Sequence, residues 1–445
     1  MLPIIESAIV NIAKRLGLTL VKKPNIHDNY SYNDKISLTG VIANKVTTIT
    51  VSDSTISVKG YNPRAEYLNK FVSDVLNNRL SVACEVALGT GDCIIKPFAD
   101  GTNIGLNIIR NEHFYVAECI GDYIKSCIIK CDEITKSNGT KIERFETQRI
   151  RKVYDNNNNL IDVLFIYQQA FINGREVPIE SIPEWSNIKP MMYIPNCSNM
   201  LFGRIKCPTV NRDDVNGVNG VPITYGLDEV MDKAVESYYR MNREFESKES
   251  MIFADKTVFT KDKVTGKYIL PKCNNENKNT FMLLNSGSDV PTIDNIIKTY
   301  SPDIRSASMS DCINENFKML ELLCGLSNGI LTAPTTSFST ATEMKASLAS
   351  SYAYCNRFRK NIEYGVNGLI YAVNILCNYY NITPMGDYTV EYDWSTSYIE
   401  NIDEQFKRLM EAQKIGAVSK AEIRAWLFDK SVDDAKLDLI EDYKS

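Results

Sequence analysis

The sequence predicts an α+β protein, and three observations support this fold class. Helical periodicity fills several segments before Ser81 and after Gly226, whereas apolar and polar residues alternate from Ser81 to Trp185. A further helical pattern runs without a proline from Ala341 to about Asn381. A helix of that length would extend roughly 60 Å, since each residue adds about 1.5 Å. We therefore expect a long helix that needs packing partners along most of its length.

The composition indicates a folded protein rather than a general coat for nucleic acid. Its 445 residues suggest roughly two to four folding units. A formal net charge of −5 lacks the basic excess of such coats, although it permits brief contact with DNA. Twelve cysteines at irregular spacing indicate free thiols in a reducing cytoplasm. No uncharged apolar run is long enough to predict a membrane span.

The N-terminal part of the chain combines helical and alternating patterns. Amphipathic helices are predicted over residues 2–17 and 63–77, and the second follows Asn62-Pro63, a capping residue and a first-turn proline. Short alternating runs at Thr47–Val51 and Ser54–Val58 predict strands between these helices. This segment is therefore expected to be mixed α/β.

The alternating region from Ser81 to Trp185 predicts a meander of strands. Hairpin turns are expected at Asn138-Gly139, Asp155–Asn159 and Asn173-Gly174, because asparagine and glycine tolerate the positive φ of tight hairpin turns. A loop rich in asparagine, glycine and proline, Pro190–Pro222, then leads to the next helix. The meander is thus expected to end before residue 190.

Two helical patterns enclose a β-patterned insert in the middle of the chain. The first runs from Gly226 to about Lys248, and the second follows Pro302 and stops at Gly325. The insert, Met251 to Asn285, predicts strands with a hairpin at Thr265-Gly266. The apolar stripe expected on the second helix comprises Ile304, Met309, Ile313, Phe317, Leu320 and Leu323.

An uncharged loop separates the second helix from the long one. Leu326–Ser339 is rich in serine, threonine, glycine and proline, as is typical of turns. Thr340 to Glu343 has the spacing of a capping box, in which hydroxyl and carboxylate satisfy the first backbone donors of a helix. The expected apolar face of the long helix comprises Leu348, Tyr352, Cys355, Phe358, Ile362, Val366, Leu369, Ala372, Val373, Leu376 and Tyr380.

The C-terminal segment predicts one strand followed by short helices. Tyr388–Trp394 has the strand pattern, and Gly416 indicates a helix break. A capping box at Ser419 to Glu422 and a serine at Ser431 predict two further helix starts. The chain is therefore expected to end in small helices.

The order of these segments resembles the portal proteins of tailed bacteriophages, particularly those of phages that infect Gram-positive bacteria. The resemblance is strongest from about Ser81 to the C-terminus. It rests on five short motifs: Gly220–Asp228, Ser301-Pro302-Asp303-Ile304-Arg305, Cys324-Gly325-Leu326-Ser327, Thr340-Ala341-Thr342-Glu343, and Ala87-Leu88-Gly89 followed by Lys96-Pro97. The last motif is similar to a strand pair of the portal wing.

The resemblance implies a portal fold with an α/β wing, a two-helix stem, a β-containing clip, a long kinked helix and an α-helical crown. The implied regions are the wing 1–222, stem helices 223–250 and 302–325, the clip 251–301, a tunnel loop 326–339, the long helix with a return strand 340–399, and the crown 400–445. The short C-terminus implies a small crown.

The resemblance also implies a function and a set of partners. Portal proteins form a ring, usually of twelve copies, around a channel at one capsid vertex through which DNA is packaged and ejected. The implied partners are other copies of the chain, double-stranded DNA, the terminase large subunit, head-tail adaptors, and the major capsid and scaffolding proteins. No cofactor, metal or membrane is implied, and the location is the virion, preceded by the host cytoplasm during assembly.

Several residues take candidate roles from the implied regions. An uncharged loop suits a channel, because fixed cations would bind phosphates and hold the polymer in place. The DNA-facing candidates are Ser327, Asn328, Thr332, Thr335, Thr336, Ser337 and Ser339. The channel-wall candidates on the first stem helix are Asp228, Asp232, Glu236, Arg240 and Arg243. The clip candidates for partner contacts are Lys256, Lys261, Asp262, Lys263 and Lys267, and the helix cap is Thr340 with Glu343.

Two other functions are compatible with parts of the sequence. A tail or baseplate component built on a helical rod is one, and a closed ring with a DNA-width channel would distinguish the portal from it. A hydrolase is the other, although His27 and His113 are isolated and Gly89-Thr90-Gly91 lacks the spacing of a phosphate-binding loop. The acid pair Asp213-Asp214 is the residual catalytic candidate. The sequence thus favours a non-enzymatic protein.

Overall fold

The computed structural model contains two compact units, each with helices and strands, which confirms the α+β fold class. The first lies within Met1–Tyr225, Cys324–Ile330 and Pro334–Ser445, and the second within Gly226–Leu323 and Leu331–Ala333. The structure describes residues 2–21, 23, 36–52, 54–100, 103–137, 139–247, 251–255, 261, 281–284, 297–300, 305–332, 341–394, 409–428 and 436.

Within the described residues, four helices precede the main sheets of the first unit. Asn62 caps the third as predicted, since its side-chain oxygen accepts from the Ala65 amide at 2.9 Å. A π-helical turn joins the third helix to the fourth. The helices are α1 (Leu2–Arg15), α2 (Leu38–Val51), α3 (Pro63–Phe71) and α4 (Asn77–Thr90), and the π turn is Val72–Leu76.

Two strand predictions in this region are wrong. Thr47–Val51 belongs to α2, and the predicted strand region begins at Asp92 rather than Ser81 because Ser81–Thr90 lies in α4. Ala87-Leu88-Gly89 is therefore helical, while Gly91, with a φ of 95°, directly follows that helix. Burial of one face favours a helix over a strand in α4, because its buried side chains recur at helical spacing. They are Leu80, Ala83, Cys84, Ala87 and Leu88.

The described strands of the first unit form three antiparallel sheets. One has the order β10-β2-β3, a second pairs β1 with β14, and the meander has the order β4-β5-β6-β7-β8 with β9 also on β7. The strands are β1 (Thr55–Lys59), β2 (Asp92–Asp100), β3 (Asn103–Arg110), β4 (Phe114–Ile120), β5 (Tyr123–Thr135), β6 (Lys141–Tyr154), β7 (Leu160–Ile172), β8 (Arg175–Val177), β9 (Met191–Pro195), β10 (Gly203–Lys206) and β14 (Thr389–Asp393).

The predicted turns of the meander are confirmed where the structure describes them. The Asp155 amide donates to Asn159 O at 2.9 Å between β6 and β7. Asn173 and Gly174, with φ values of 47° and 79°, connect β7 to β8. Gly139 also has a positive φ in the turn before β6, while Asn138 lies outside the described residues.

The segment Pro190–Pro222, predicted as a loop, contains β9 and β10. A buried ion pair holds β10 to β2, since Arg204 Nε lies 2.9 Å from Asp92 Oδ1 and Arg204 Nη2 lies 2.8 Å from Asp92 Oδ2. Arg204 also donates to Val218 O, and the Gly220 amide donates to Asp92. The Asp92–Arg204 pair thus connects the sheet to the segment around Val218 and Gly220.

The predicted long helix is present as α7 (Ala341–Tyr379), and it lies directly on β10. A Cβ on Gly203 would lie 1.9 Å from Gly365 O, and one on Gly365 would lie 2.7 Å from Arg204 O. The two backbones therefore touch, because neither glycine carries a side chain to separate them. The Tyr388–Trp394 strand prediction is confirmed by β14, which returns to pair with β1.

The packing partners expected for α7 are present in the same chain, which covers most of its apolar face. Tyr380 lies beyond the helix end and is exposed, and Leu348 and Tyr352 are half-buried. The predicted positions that are buried are Cys355, Phe358, Ile362, Val366, Leu369, Ala372, Val373 and Leu376. Helices α2 and α3 and strands β2 and β10 all contact α7.

A buried arginine binds the C-terminal end of α7. Arg64 Nη1 donates to Asn374 O at 2.9 Å, and Nη2 donates to Asn378 Oδ1 at 2.7 Å. Its Nε donates to Thr383 Oγ1 at 2.8 Å and Nη2 also to Thr383 O at 2.6 Å. A cation suits this end, where helix carbonyls lack intrahelical donors.

The second unit contains the two helices that were predicted on either side of the insert, and a small sheet. The two helix predictions are confirmed by α5 (Asp228–Ser247) and α6 (Ser306–Leu323). Between them, β11 (Met251–Asp255) pairs in parallel with β12 (Phe281–Leu284) and antiparallel with β13 (Ile297–Tyr300). The predicted hairpin at Thr265-Gly266 lies outside the described residues.

The C-terminal helices agree with the predicted signals where they are described. Residues 409–414 are helical, and Gly416, with a φ of 74°, follows them. Helix α8 (Lys420–Phe428) begins at the predicted capping box, because the Glu422 amide donates to Ser419 Oγ at 3.2 Å and the Ser419 amide to Glu422 Oε2 at 2.7 Å. Ser431 lies outside the described residues.

We expect Gly365→Val to destabilise the protein by about 2 kcal/mol or more, because the new side chain would overlap the Arg204 backbone. Urea unfolding of the purified protein measures the change. Lys360→Ala, at an exposed position on the same helix, is the control and should change stability by less than about 0.5 kcal/mol. Equal stability of Gly365→Val and wild type would contradict the close packing.

We expect Arg64→Ala to lower the free energy of unfolding by about 3 kcal/mol or more, because several buried acceptors would lose their donors. Arg64→Lys should restore little of this loss, since an ammonium cannot reproduce the planar fork. Lys70→Ala, exposed on α3, provides the control. Full rescue by lysine would show that charge alone matters at this position.

Candidate functional site

The candidate channel wall lies on the charged face of α5. Asp232, Glu236, Arg240 and Arg243 are exposed as predicted, whereas Asp228, in the first helical turn, is half-buried. Acidic residues outnumber basic ones along this helix. An acid in the first turn is favoured because the N-terminal end of a helix carries partial positive charge.

Two basic residues of α5 form exposed ion pairs with glutamates one turn earlier on the same helix. Lys233 Nζ lies 2.7 Å from Glu229 Oε1, and Arg240 Nη2 lies 2.7 Å from Glu236 Oε1. The hydrogen bond from Lys233 lowers the pKa of Glu229. Such exposed pairs contribute little stability, but they direct these cations along the helix and leave its face with an acidic excess.

Polar contacts join α5 to α6 within the second unit. Asn316 Nδ2 donates to Ser237 Oγ at 3.0 Å, and Arg305 Nη2 lies 3.3 Å from Glu244 Oε2. Leu320 is buried, while Met309, Ile313 and Phe317 of the predicted stripe are half-buried. The two helices therefore cover each other's apolar faces only in part.

Large apolar side chains remain exposed on both helices, a feature that sequence analysis missed. Leu322 is 69% exposed and Met319 is 50% exposed. Leu323, assigned by its spacing to the packed stripe, is also exposed, which corrects that assignment. The exposed residues on α5 are Tyr238, Tyr239 and Phe245. Helical spacing alone does not distinguish a face covered by the same chain from one left open.

The predicted tunnel loop begins with a buried serine pair in the first unit. The Ser327 amide donates to Ser351 Oγ at 2.8 Å, and the Ser351 amide donates to Ser327 Oγ at 3.2 Å. Ser327 is only 3% exposed, so its hydroxyl is engaged inside the protein. Asn328, the next residue, is exposed.

In the second unit a carboxylate that sequence analysis missed binds the loop at residues 331 and 332. Glu321 is fully buried on α6 and accepts from the amides of Leu331 at 2.6 Å and Thr332 at 3.1 Å. The Thr332 hydroxyl also donates to it at 3.3 Å. One sequence feature could have drawn attention to Glu321. It is an acidic residue in the last turn of a helix, where a basic residue is favoured.

The remaining candidate residues lie largely outside the described residues. Lys261 is described and exposed, whereas Glu343 belongs to α7 without a described side chain. The candidates outside the described residues are Lys256, Asp262, Lys263, Lys267, Thr335, Thr336, Ser337, Ser339 and Thr340.

The catalytic candidates His113, Asp213 and Asp214 take structural positions, whereas His27 lies outside the described residues. His113 ends a short 3-10 turn, Asn111–His113, directly before β4. The amides of Asp213 and Asp214 both donate to Asn211 Oδ1, at 3.1 Å and 3.2 Å, as in an asparagine turn. The described residues contain neither a cluster of three or more potential metal ligands nor a helix long and apolar enough to span a membrane.

The buried glutamate of the meander, Glu146, forms an ion pair with Lys96 of β2 that has a structural role. Lys96 Nζ lies 3.0 Å from Glu146 Oε2, and Gln148 and Gln168 donate to the same carboxylate at 2.7 Å and 2.6 Å. Burial by itself raises the pKa of Glu146, but Lys96 and these donors outweigh burial and leave it lowered. The carboxylate is therefore held ionised, which does not suit a general acid.

Comparison with protein families gives a match over most of the chain. The protein-family description "Phage portal protein, SPP1 Gp6-like" matches residues 25–445, which is nearly all of the chain. Comparison with curated proteins gave no match. The matched family is structural rather than enzymatic, and it supplies a component of the virion capsid. The chain therefore belongs to the phage portal proteins of the SPP1 Gp6-like family.

Proposed function

We propose that copies of this chain, twelve by analogy with other portals, close into a ring at one capsid vertex. Viral DNA passes through the central channel during packaging and ejection. The wing is residues 1–222, the stem 223–250 and 302–325, the clip 251–301, the tunnel loop 326–339, the long helix and return strand 340–399, and the crown 400–445. Membership of the portal family, which forms rings, supports this proposal.

The exposed apolar residues of the stem carry the proposal. Met319 and Leu322 on α6 and Phe245 on α5 face solvent in a single copy, although each helix also carries many charges. A ring places the stem of one copy beside that of the next, so that these side chains become buried between copies. The surface left open in one chain thus becomes a subunit interface.

The charges of the stem and loop suit a channel for DNA. An acidic excess on α5 repels phosphates from the wall, so the polymer is not held there. The uncharged loop can donate hydrogen bonds without releasing counterions. Because Ser327 and Thr332 have hydroxyl partners within the chain, the proposed DNA-facing residues are Asn328, Thr335, Thr336, Ser337 and Ser339.

The clip is proposed to bind the terminase large subunit during packaging and the head-tail adaptor afterwards. Lys261 is exposed, as a partner contact requires, and Lys256, Asp262, Lys263 and Lys267 are proposed to share this role. The wing is proposed to contact the major capsid and scaffolding proteins. These contacts would place the assembled ring in the virion.

We expect the purified protein to form closed rings with a channel wide enough for duplex DNA, and Met319→Glu with Leu322→Glu to disrupt them. Each lost apolar contact is worth about 1.5–3 kcal/mol, so dissociation should shift by at least about tenfold in concentration. Electron microscopy and mass photometry measure this. Ser310→Glu adds charge at an exposed polar site of α6 and should leave rings intact. Wild-type monomers or open filaments would disprove the ring.

We expect Thr335→Lys combined with Thr336→Lys to leave rings intact but to reduce the DNA packaged per head several-fold, because new cations would bind the passing phosphates. Thr335→Ser with Thr336→Ser is the matched control and should package normally. Nuclease-protected DNA per assembled head provides the measurement. Normal packaging by the lysine variant would count against the tunnel assignment.

A further inference from the structure

Glu321 is an unusual residue for its position in the fold. It lies on α6 one turn before Gly325, whose φ of 71° follows the helix end, and its side chain is fully buried. The C-terminal end of a helix carries partial negative charge, which disfavours a carboxylate there. Burial adds a desolvation cost. Helix formation therefore does not account for a glutamate at this site.

The loop amides supply the hydrogen-bond donors that the Glu321 carboxylate cannot find at the helix end. Glu321 Oε1 accepts from Leu331 N at 2.6 Å, Thr332 N at 3.1 Å and Thr332 Oγ1 at 3.3 Å, and Oε2 lies 3.3 Å from the same hydroxyl. Two consecutive amides directed at one anion are a known way to hold negative charge. One buried carboxylate thus binds the chain ten residues further on.

Hydrogen bonds of this kind fix position well. An ionised acceptor makes shorter and stronger bonds than a neutral one, and three donors on one oxygen restrict the loop more than a single bond would. The helix that carries Glu321 lies against α5, and Asn316 on it donates to Ser237 of α5, so the carboxylate belongs to the body of the second unit. Residues 331 and 332 therefore take their position from the stem.

We propose that Glu321 is a positioning residue for DNA passage. Its carboxylate holds Leu331 and Thr332 to the second stem helix, so that the tunnel loop leaves the stem at the same place in every copy of the ring. The inference rests on the proposed channel function. Glu321 itself is buried and does not touch DNA.

Three variants of the full-length protein test this role. Glu321→Ala removes both acceptor oxygens, and Glu321→Gln retains one neutral acceptor of similar shape. Ser351→Ala is the matched control, because it removes a different buried loop contact, the one to Ser327, and leaves Leu331 and Thr332 untouched. Glu315→Gln controls for loss of an exposed charge on the same helix.

Hydrogen exchange of the assembled protein measures the anchor directly. We expect amide exchange at Leu331 and Thr332 to rise on the order of tenfold or more in Glu321→Ala, to rise less in Glu321→Gln, and to stay unchanged in both controls. Unchanged exchange in Glu321→Ala would overturn the anchor, whatever the protein's function. If Glu321→Ala does not fold, amide exchange at Leu331 and Thr332 is compared between Glu321→Gln and wild type. Unchanged exchange in Glu321→Gln would then overturn the anchor.

DNA packaged per assembled head measures the consequence. We expect a several-fold loss in Glu321→Ala, partial rescue in Glu321→Gln, and wild-type packaging in Glu315→Gln, with equal ring yield in all variants. Faster exchange with normal packaging would reject the positioning role and leave the channel function standing. Wild-type rings that pass no DNA would instead reject the proposed function, while the exchange experiment would still decide whether the anchor exists.

Discussion

The backbone contact between α7 and β10 organises the first unit. Gly203 and Gly365 lack side chains, so the helix lies directly on the strand, and the buried Asp92–Arg204 pair holds the same strand to β2. A side chain at either glycine would separate the layers. Because the helix lies on this strand, its apolar face is buried within its own chain. Helices α2 and α3 also pack against it.

Buried polar groups fix the ends of segments in both units. Arg64 satisfies acceptors at the end of α7, and Asp92 binds Arg204 and the Gly220 amide. Glu321 does the same for the loop amides of the second unit. Each group carries a desolvation cost that several donors or acceptors offset, so each defines one arrangement more strictly than apolar packing would.

The sequence predicted those elements whose signals are local. Helices α5, α6 and α7 were located within a few residues, because apolar periodicity, a glycine stop and a proline-free run mark them. The hairpin turns of the meander were also predicted correctly where the structure describes them. Thr47–Val51 and Ser81–Thr90 were misassigned as strands, because β-branched or alternating residues there are buried as helices by distant neighbours. Of the candidate site, the exposed charges of α5 were predicted, whereas Glu321 was not.

By itself the sequence determined the family, the order of helix, insert, helix, loop and long helix, and the charge of each segment, since these depend on composition and spacing along the chain. Only the tertiary structure decided which apolar faces are covered within one copy, which hydroxyls are engaged, and that Glu321 reaches Leu331. Those features depend on how separate segments of the chain fold against one another, and no local pattern encodes that.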